Sequence, residues 1–366
     1  MLIGIDAREL CGRPTGVGRY LNGLLSEWTR LPEARSHQFL IFAPEVPVVP
    51  VPPMFDLRIV SGGTGTRWEQ VTLARAIKQA SLDVLFSPAY SSPLTVSVPI
   101  VLTMHDLSFV VRPEWFRWRE RLRRTWLARR SAHKAALVLA DTAVGLREIV
   151  AHLGVPASRI RVIPPGVTRA EPTDEQTREP IVLFAGSIFN RRHLPHLICA
   201  FRSIAARHPE ARLEILGENR TYPHEDLEAM VRELGLQHCV RLRSYEPDGV
   251  LRHLYRTAQV FAFLSEYEGF GLPPLEALAA GMPVVLTDTP VAREVCGEAA
   301  RYVSLGDIEG IAQSVETLLC SAPARQAIVD RGPAVLARYS WDRTARAVLA
   351  ALTDAGSRQP AAGGKP

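Results

Sequence analysis

The chain has 366 residues, 47% of them hydrophobic and 22% charged, and a formal net charge of +5. That length exceeds what one core usually organises, so two domains are expected, and the apolar content excludes a largely disordered polypeptide. The modest charge excludes a protein that coats nucleic acid, and Cys11, Cys199, Cys239, Cys296 and Cys320 lack the spacing of a disulfide or zinc framework.

The opening MLIGIDAREL enters an apolar run directly, without the features of a signal peptide, and no later window has the apolar length of a membrane span. A cytosolic protein is expected. Short β-rich runs at 2–6, 38–43, 56–60, 83–87, 99–104 and 136–140 alternate with helical patterns and close at RIRVIPPGV, 159–167. Such alternation builds a parallel sheet covered on both faces, here over residues 1–167. TRAEPTDEQTREP, 168–180, is polar and aperiodic and reads as a linker. A second series at 181–186, 212–217, 240–244, 260–265 and 283–288 gives another doubly wound domain over 181–340. A helix over 341–353, placed to pack back on the first domain, precedes a frayed tail at 354–366.

Within the first domain, IDARELCGRPTGVGRYLNGLL gives a strand, a loop with Gly12, Gly16 and Gly18, and a helix, though not the dinucleotide fingerprint. Arg19 beyond it suits either a phosphate contact or a helix surface. SGGTGTRWE, 61–69, reads as a loop by its glycines. LTMHDLSF sets His105 and Asp106 just past an apolar strand, where a histidine either hydrogen-bonds a ligand hydroxyl or serves the structure.

Residues 112–134 carry eight arginines and one lysine against two glutamates, with Trp115, Trp118, Leu122 and Trp126 at helical spacing. Either this stripe packs on its own sheet, or the helix docks on anionic lipid headgroups through Trp115, Trp118 and Trp126 with Arg121, Arg123 and Arg124.

In the second domain, GSIFNRRHLPHLICAF (186–201) ends a strand at Gly186 and presents Arg191 and Arg192 together, either as a solvated face or as cations for a diphosphate. His193 and His196 share a helical spacing, but no neighbouring carboxylate or thiol completes a metal set, so no metal is expected. FLSEYEGFGLPPLEALAAGMPVVLTD (263–288) runs from a strand through Glu268, Gly269, Phe270 and Gly271 into a helix opened by Leu272, Pro273 and Pro274 and stopped at Gly281. Gly269 and Gly271 either only make the turn or, with the helix end, suit a diphosphate. Glu276 either complements the helix dipole or holds a ribose.

EGFGLPPLEALAAGMPVV, with Glu268 and Glu276 bracketing seven residues, resembles the Glu-x7-Glu signature of retaining GT-B glycosyltransferases of family GT4, and the pattern as a whole resembles bacterial mannosyltransferases. The matching motifs run in family order from the glycine loop through His-Asp and the arginine pair to Ser340 and Trp341. The resemblance implies a GT-B fold, two Rossmann-like domains facing a central cleft, and transfer of a sugar from a nucleotide donor without metal or bound cofactor. No Asp-x-Asp triplet stands in the chain, which agrees with cations supplied by side chains.

By the same resemblance, His105, Arg191, Arg192 and Glu268 carry the chemistry. Gly16, Gly18, Gly186, Gly269, Phe270, Gly271, Leu272 and Glu276 hold the donor. Relatives often carry Arg-Lys-Asn where this chain has Arg191, Arg192 and His193, and a planar fork does not replace a point charge geometrically. The implied donor is GDP-mannose. The acceptor is a glycan or lipid-linked glycan in cell-surface polysaccharide synthesis, used by an enzyme peripheral to the inner face of the membrane. A nucleotide-sugar 2-epimerase and a silent nucleotide-sugar-binding protein share the two-sheet architecture; need for an acceptor separates the first, and absence of turnover the second.

Overall fold

The computed structural model describes residues 1–12, 16–168, 178–244 and 248–357. By internal contacts the chain divides into two compact units. Unit 1 takes Met1–Pro113, Arg117–Gly166 and the residues from Tyr339 onward; unit 2 takes Glu114–Phe116 and Val167–Arg338.

Unit 1 is built on β1 (Leu2–Asp6), β2 (Gln38–Ala43), β3 (Asp56–Ile59), β4 (Val84–Ser87), β5 (Ile100–Met104), β6 (Leu137–Ala140) and β7 (Ile160–Val162). All pairs are parallel, in the order β3-β2-β1-β4-β5-β6-β7. β4, β5 and β6 are buried at every residue, which is why their sequences are apolar runs without alternation.

Unit 2 has β8 (Glu179–Ala185), β9 (Arg212–Leu216), β10 (Val240–Arg243), β11 (Ala258–Phe263), β12 (Val284–Thr287) and β13 (Arg301–Val303), ordered β10-β9-β8-β11-β12-β13. β13 escapes the sequence reading because it is three residues at the sheet edge, two of them only half-buried.

In each sheet the strand order reverses once, between β1 and β4 and between β8 and β11. Crossovers on the two sides of such a point leave toward opposite faces, opening a crevice beyond the strand carboxyl ends. The loops after β1 and β4 line that crevice in unit 1, and the loops after β8 and β11 line it in unit 2.

The C-terminal helix, Trp341–Ser357, belongs to unit 1. Val348, Leu349 and Leu352 share a core with Tyr20, Leu24 and Trp28. The Trp28 indole donates to the Ala345 carbonyl at 3.0 Å, and Thr344 Oγ1 donates to the Pro164 carbonyl at 2.8 Å. The helix outruns its expected end at 353 because Ala355 continues the buried stripe for another turn. Residues 358–366, and 169–177 of the expected linker, lie outside the described residues.

Other expectations need correction. Gly16 and Gly18 are not loop; they open the helix Gly16–Trp28, whose buried stripe Tyr20, Leu21, Leu24, Leu25 and Trp28 carries helical order down to its first turn. Of the expected loop 61–69, helix begins at Gly65, and Trp68 and Glu69 are fully buried. The basic helix starts at Trp118, not near Pro113: Pro113–Trp115 make a separate 3-10 turn and Arg117 is extended. Trp115 therefore leaves the predicted stripe and groups with unit 2, its ring 6.2 Å from Tyr267. Among the described residues no helix is long and apolar enough to cross a membrane.

Gly23 faces the Trp341 ring, and an added Cβ would lie 2.5–2.6 Å from its carbons. Gly23→Ala should therefore destabilise unit 1 by about 1–3 kcal/mol through overpacking. Trp28, Trp68, Trp118, Trp126 and Trp341 all lie in unit 1, so tryptophan fluorescence during urea unfolding reads it. Wild-type stability in this variant would show that the terminal helix does not seat there.

Candidate functional site

In unit 2, β8 ends against Gly186, whose φ is 136°. A Cβ at this position would collide with the Arg192 guanidinium, so glycine is what lets that cation lie against the strand end. Asn190–Arg192 form a 3-10 turn and His193, at φ 46°, leads into the helix Leu194–Arg207. Arg192 is buried: Nη1 donates to the Ser187 carbonyl at 2.7 Å, Nε donates to Glu268 Oε1 at 3.1 Å, and the guanidinium lies 4.8 Å from the Phe263 ring centre. Arg191 lies over Phe189 at 4.5 Å; its Nε is 3.9 Å from Glu268, too far for a hydrogen bond, and is buried without one.

The loop after β11 meets these groups from the other side of the reversal. Ser265 Oγ donates to Glu268 Oε1 at 2.9 Å, and the Glu266 amide donates to the Arg191 carbonyl at 2.9 Å. Gly269 and buried Phe270 lead to Gly271, which at φ 93° caps the helix Leu272–Ala279. Pro273 and Pro274 carry no N–H, so of the first four helical residues only Leu272 and Leu275 bring an amide hydrogen. The helix end thus offers fewer donors than its position suggests, and more of any anion's charge falls to the arginines. Glu276, one turn further on, accepts from the Tyr255 hydroxyl at 3.3 Å. Tyr255 has no sequence signal, since it sits in an ordinary amphipathic helix, Asp248–Thr257.

The structure therefore gathers Gly186, Arg191, Arg192, Glu268 and Gly271 at one strand-end crevice, with Gly269, Phe270, Leu272 and Glu276 on the same loop and helix. Two guanidiniums lie beside Glu268, with Glu266 facing His193 at 3.5 Å, and paired guanidiniums suit a diphosphate. The arginines differ: Arg192 donates to Ser187 and Glu268, while Arg191 lies over Phe189 with no hydrogen bond to Glu268.

In unit 1, His105 follows β5. Its Nδ1 lies 2.8 Å from Asp141 Oδ2 and its Nε2 2.8 Å from the Pro88 carbonyl, with the Tyr20 ring edge-on at 4.9 Å. The Pro88 carbonyl accepts from Nε2–H, and Nδ1 pairs with the buried Asp141 carboxyl. Burial lowers its pKa, but the Asp141 charge and hydrogen bond outweigh that and leave it raised. Both ring nitrogens are engaged within the protein, as in the structural one of the two readings of His105. Asp141 was missed, though a carboxylate straight after β6 was the available signal. Asp106 accepts from Ser108 through its amide and its hydroxyl, at 3.0 and 2.7 Å.

On the helix Trp118–Lys134, Leu127, Ala128, Ser131 and Ala132 form the buried face. Trp118, Leu122 and Trp126 stand on the opposite side, 63%, 52% and 56% exposed, so the stripe does not pack on the sheet. Rotation of about 100° per residue puts Arg119, Arg123, Arg129 and Arg130 around that stripe. It turns Arg121 and Arg124 toward the buried side, where Arg121 is half-buried and Arg124 pairs with Glu120 at 2.6 Å. Arg119 and Arg130 lie 5.1 and 5.9 Å from the Trp118 and Trp126 ring centres.

Two parallel sheets with this strand order define the GT-B class, and the Anabaena protein HepE, solved with UDP and glucose, superposes with a TM-score of 0.75 over 97% of this chain and 100% of its own at 16% identity. Residues 14–171 match the family Glycosyltransferase Family 4, and residues 168–335 match Glycosyl transferases group 1. The chain belongs to this glycosyltransferase family. It is 28% identical to O-antigen chain mannosyltransferase B of Escherichia coli, covering 66% of this chain and 67% of the relative. It is 31% identical to the GDP-mannose:cellobiosyl-diphosphopolyprenol alpha-mannosyltransferase of Xanthomonas campestris, covering 66% and 64%. Across the curated relatives it matches first, the aligned part spans 41% to 67% of their length.

Because the His105 pKa is raised in the fold, its stabilisation is complete below the ordinary histidine value and fades as pH rises through the folded value. Asp141→Asn should cost unit 1 about 3–5 kcal/mol at pH 5 and progressively less toward pH 9, read by urea unfolding followed by fluorescence. An equal penalty at every pH would mean that the ring is neutral.

Proposed function

We propose that this chain transfers a hexosyl group from a nucleoside diphosphate sugar to a glycan hydroxyl with retention at the anomeric carbon, mannose from GDP-mannose being the donor and a lipid-linked glycan the acceptor. The observation that carries this reading is the meeting of Arg191, Arg192 and Glu268 at the Gly271-capped helix in unit 2. Mannose is supported by the two mannosyltransferase relatives, one of them named for GDP-mannose and a polyprenol-linked acceptor.

In this reading the Arg191 guanidinium and the Leu272 amide take the diphosphate, Glu276 takes the ribose hydroxyls, and Glu268, held rigid by Arg192 and Ser265, takes hydroxyls of the sugar. As the bond from C1 to the diphosphate oxygen breaks, negative charge grows on the leaving group, where fixed cations stabilise the transition state more than the ground state. The acceptor oxygen bonds to C1 on the same face, and its proton passes to the departing diphosphate. His105, bonded through both ring nitrogens, orders the β4 and β6 loop ends.

A lipid-linked acceptor calls for work at a membrane, and the exposed tryptophan stripe ringed by arginines suits an anionic headgroup layer, each basic residue near the surface contributing about 1 kcal/mol. Sedimentation with phosphatidylglycerol vesicles should recover the wild type. The variant with Trp118→Ser, Trp126→Ser, Arg119→Glu and Arg130→Glu should stay in the supernatant; equal recovery ends this part of the proposal.

The donor reading is tested by thermal shift with GDP, UDP and ADP. A nucleotide at 100 times its Kd adds about 2.7 kcal/mol of apparent stability. GDP should raise Tm most, and Glu276→Ala should remove the shift and the transfer activity. No shift with any of the three would remove the basis of the assignment.

A further inference from the structure

The crevice at the strand-order reversal of unit 1 holds an arrangement that the donor reading does not use. Tyr90, after β4, has φ 29°, and sits in a three-residue turn in which the Ser91 amide donates to the Ala89 carbonyl. A bulky side chain takes this backbone conformation only where its surroundings force it.

The forcing groups are all present. Ser91 Oγ donates to Glu69 Oε1 at 2.7 Å, the Ser92 amide donates to Ser131 Oγ at 3.0 Å, and Gln70 Nε2 donates to the Ser92 carbonyl at 2.9 Å. The Leu94 amide donates to Gln70 Oε1 at 3.0 Å, and the Pro88 carbonyl accepts from His105. Glu69 and Gln70 project from the π-helical segment Trp68–Leu73, a rare form frequent at functional sites.

Glu69 is fully buried and ion-paired with Arg8, which also holds the buried Asp6 at 2.6 Å. Burying two carboxylates against one guanidinium opposes stability, and packed apolar side chains would serve a purely structural core better. What the cluster achieves is to tie the loop after β1 to the loop after β4, the two walls of the crevice. Between them the half-buried Tyr90 ring stands edge-on to His105 and Phe109, at 6.0 and 6.1 Å, with its hydroxyl 3.4 Å from Asp106 Oδ2.

We propose that Tyr90 seats the acceptor sugar of the reaction described above, its ring against the C–H face of the pyranose and its hydroxyl with Asp106 against a sugar hydroxyl, and that Glu69, through Ser91, is the residue that positions it. This rests on the transferase reading and adds the acceptor side to it.

The test uses the full chain with GDP-mannose or UDP-glucose and octyl α-mannoside or octyl β-glucoside as acceptor. Glycine adopts φ 29° without strain, which offsets part of the ring burial lost, so Tyr90→Gly should fold while its acceptor KM rises about tenfold or more and its donor KM stays within about twofold. Ser91→Ala, which cuts the tie to Glu69 at a half-exposed position, should raise the acceptor KM about threefold to tenfold with donor KM unchanged. A tyrosine of merely structural value would instead disturb both KM values alike. Wild-type transfer with an unchanged acceptor KM in Tyr90→Gly overturns this inference alone, and an unchanged acceptor KM in Ser91→Ala overturns the role of Glu69. A wild type that transfers to neither acceptor from either donor overturns the transferase reading and this inference with it.

Discussion

The constraint on which unit 2 depends is the sharing of Glu268 between the loops on either side of its strand-order reversal. Ser265 binds the carboxylate from its own loop and Arg192 binds it from the other, while a backbone hydrogen bond from Glu266 to Arg191 fixes their spacing. Remove the carboxylate and the buried Arg192 loses its ion pair with Glu268, a costly change for a buried charge. Gly186 follows from the same arrangement, since no side chain fits where the guanidinium lies.

Unit 1 answers the same topological problem with different chemistry. There the loops are joined by Arg8 between Asp6 and Glu69, and burial raises the Asp6 carboxyl to about 6 despite Arg8 beside it. Next to that cluster His105 is held between Asp141 and the Pro88 carbonyl. Both crevices are thus braced by buried ions rather than by apolar contacts. Directional bonds hold loops at set distances, which dispersion alone does less well.

The strands were legible because fully covered parallel sheets leave apolar runs bounded by turns, and only the three-residue β13 at an edge fell below that signal. Glu268, Glu276, Gly186 and the arginine pair were legible because they lie close together along the chain in motifs of distinctive spacing. Their division of labour was not, since whether Arg191 or Arg192 faces inward depends on the left-handed turn at His193 and on Ser187, Ser265 and Phe263. Partners far apart in sequence, such as Tyr255 with Glu276, Asp141 with His105 and Glu69 with Arg8, leave no trace in local pattern. The basic helix shows the limit of periodicity from the other side: spacing alone included Trp115, but the extended backbone at Arg117 interrupts the register and regroups which arginines flank the tryptophans.

The placement of Trp341–Ser357 in unit 1 bears on how the chain is made. Unit 2 is nearly contiguous, so it has most of its residues as soon as Arg338 has emerged from the ribosome. Unit 1, although synthesised first, still lacks Val348, Leu349 and Leu352 from its core, and the Trp28 indole has no Ala345 carbonyl to bind. The earlier-translated half therefore completes its core only after the later one, with Tyr20, Leu24 and Trp28 uncovered by that helix in the interval.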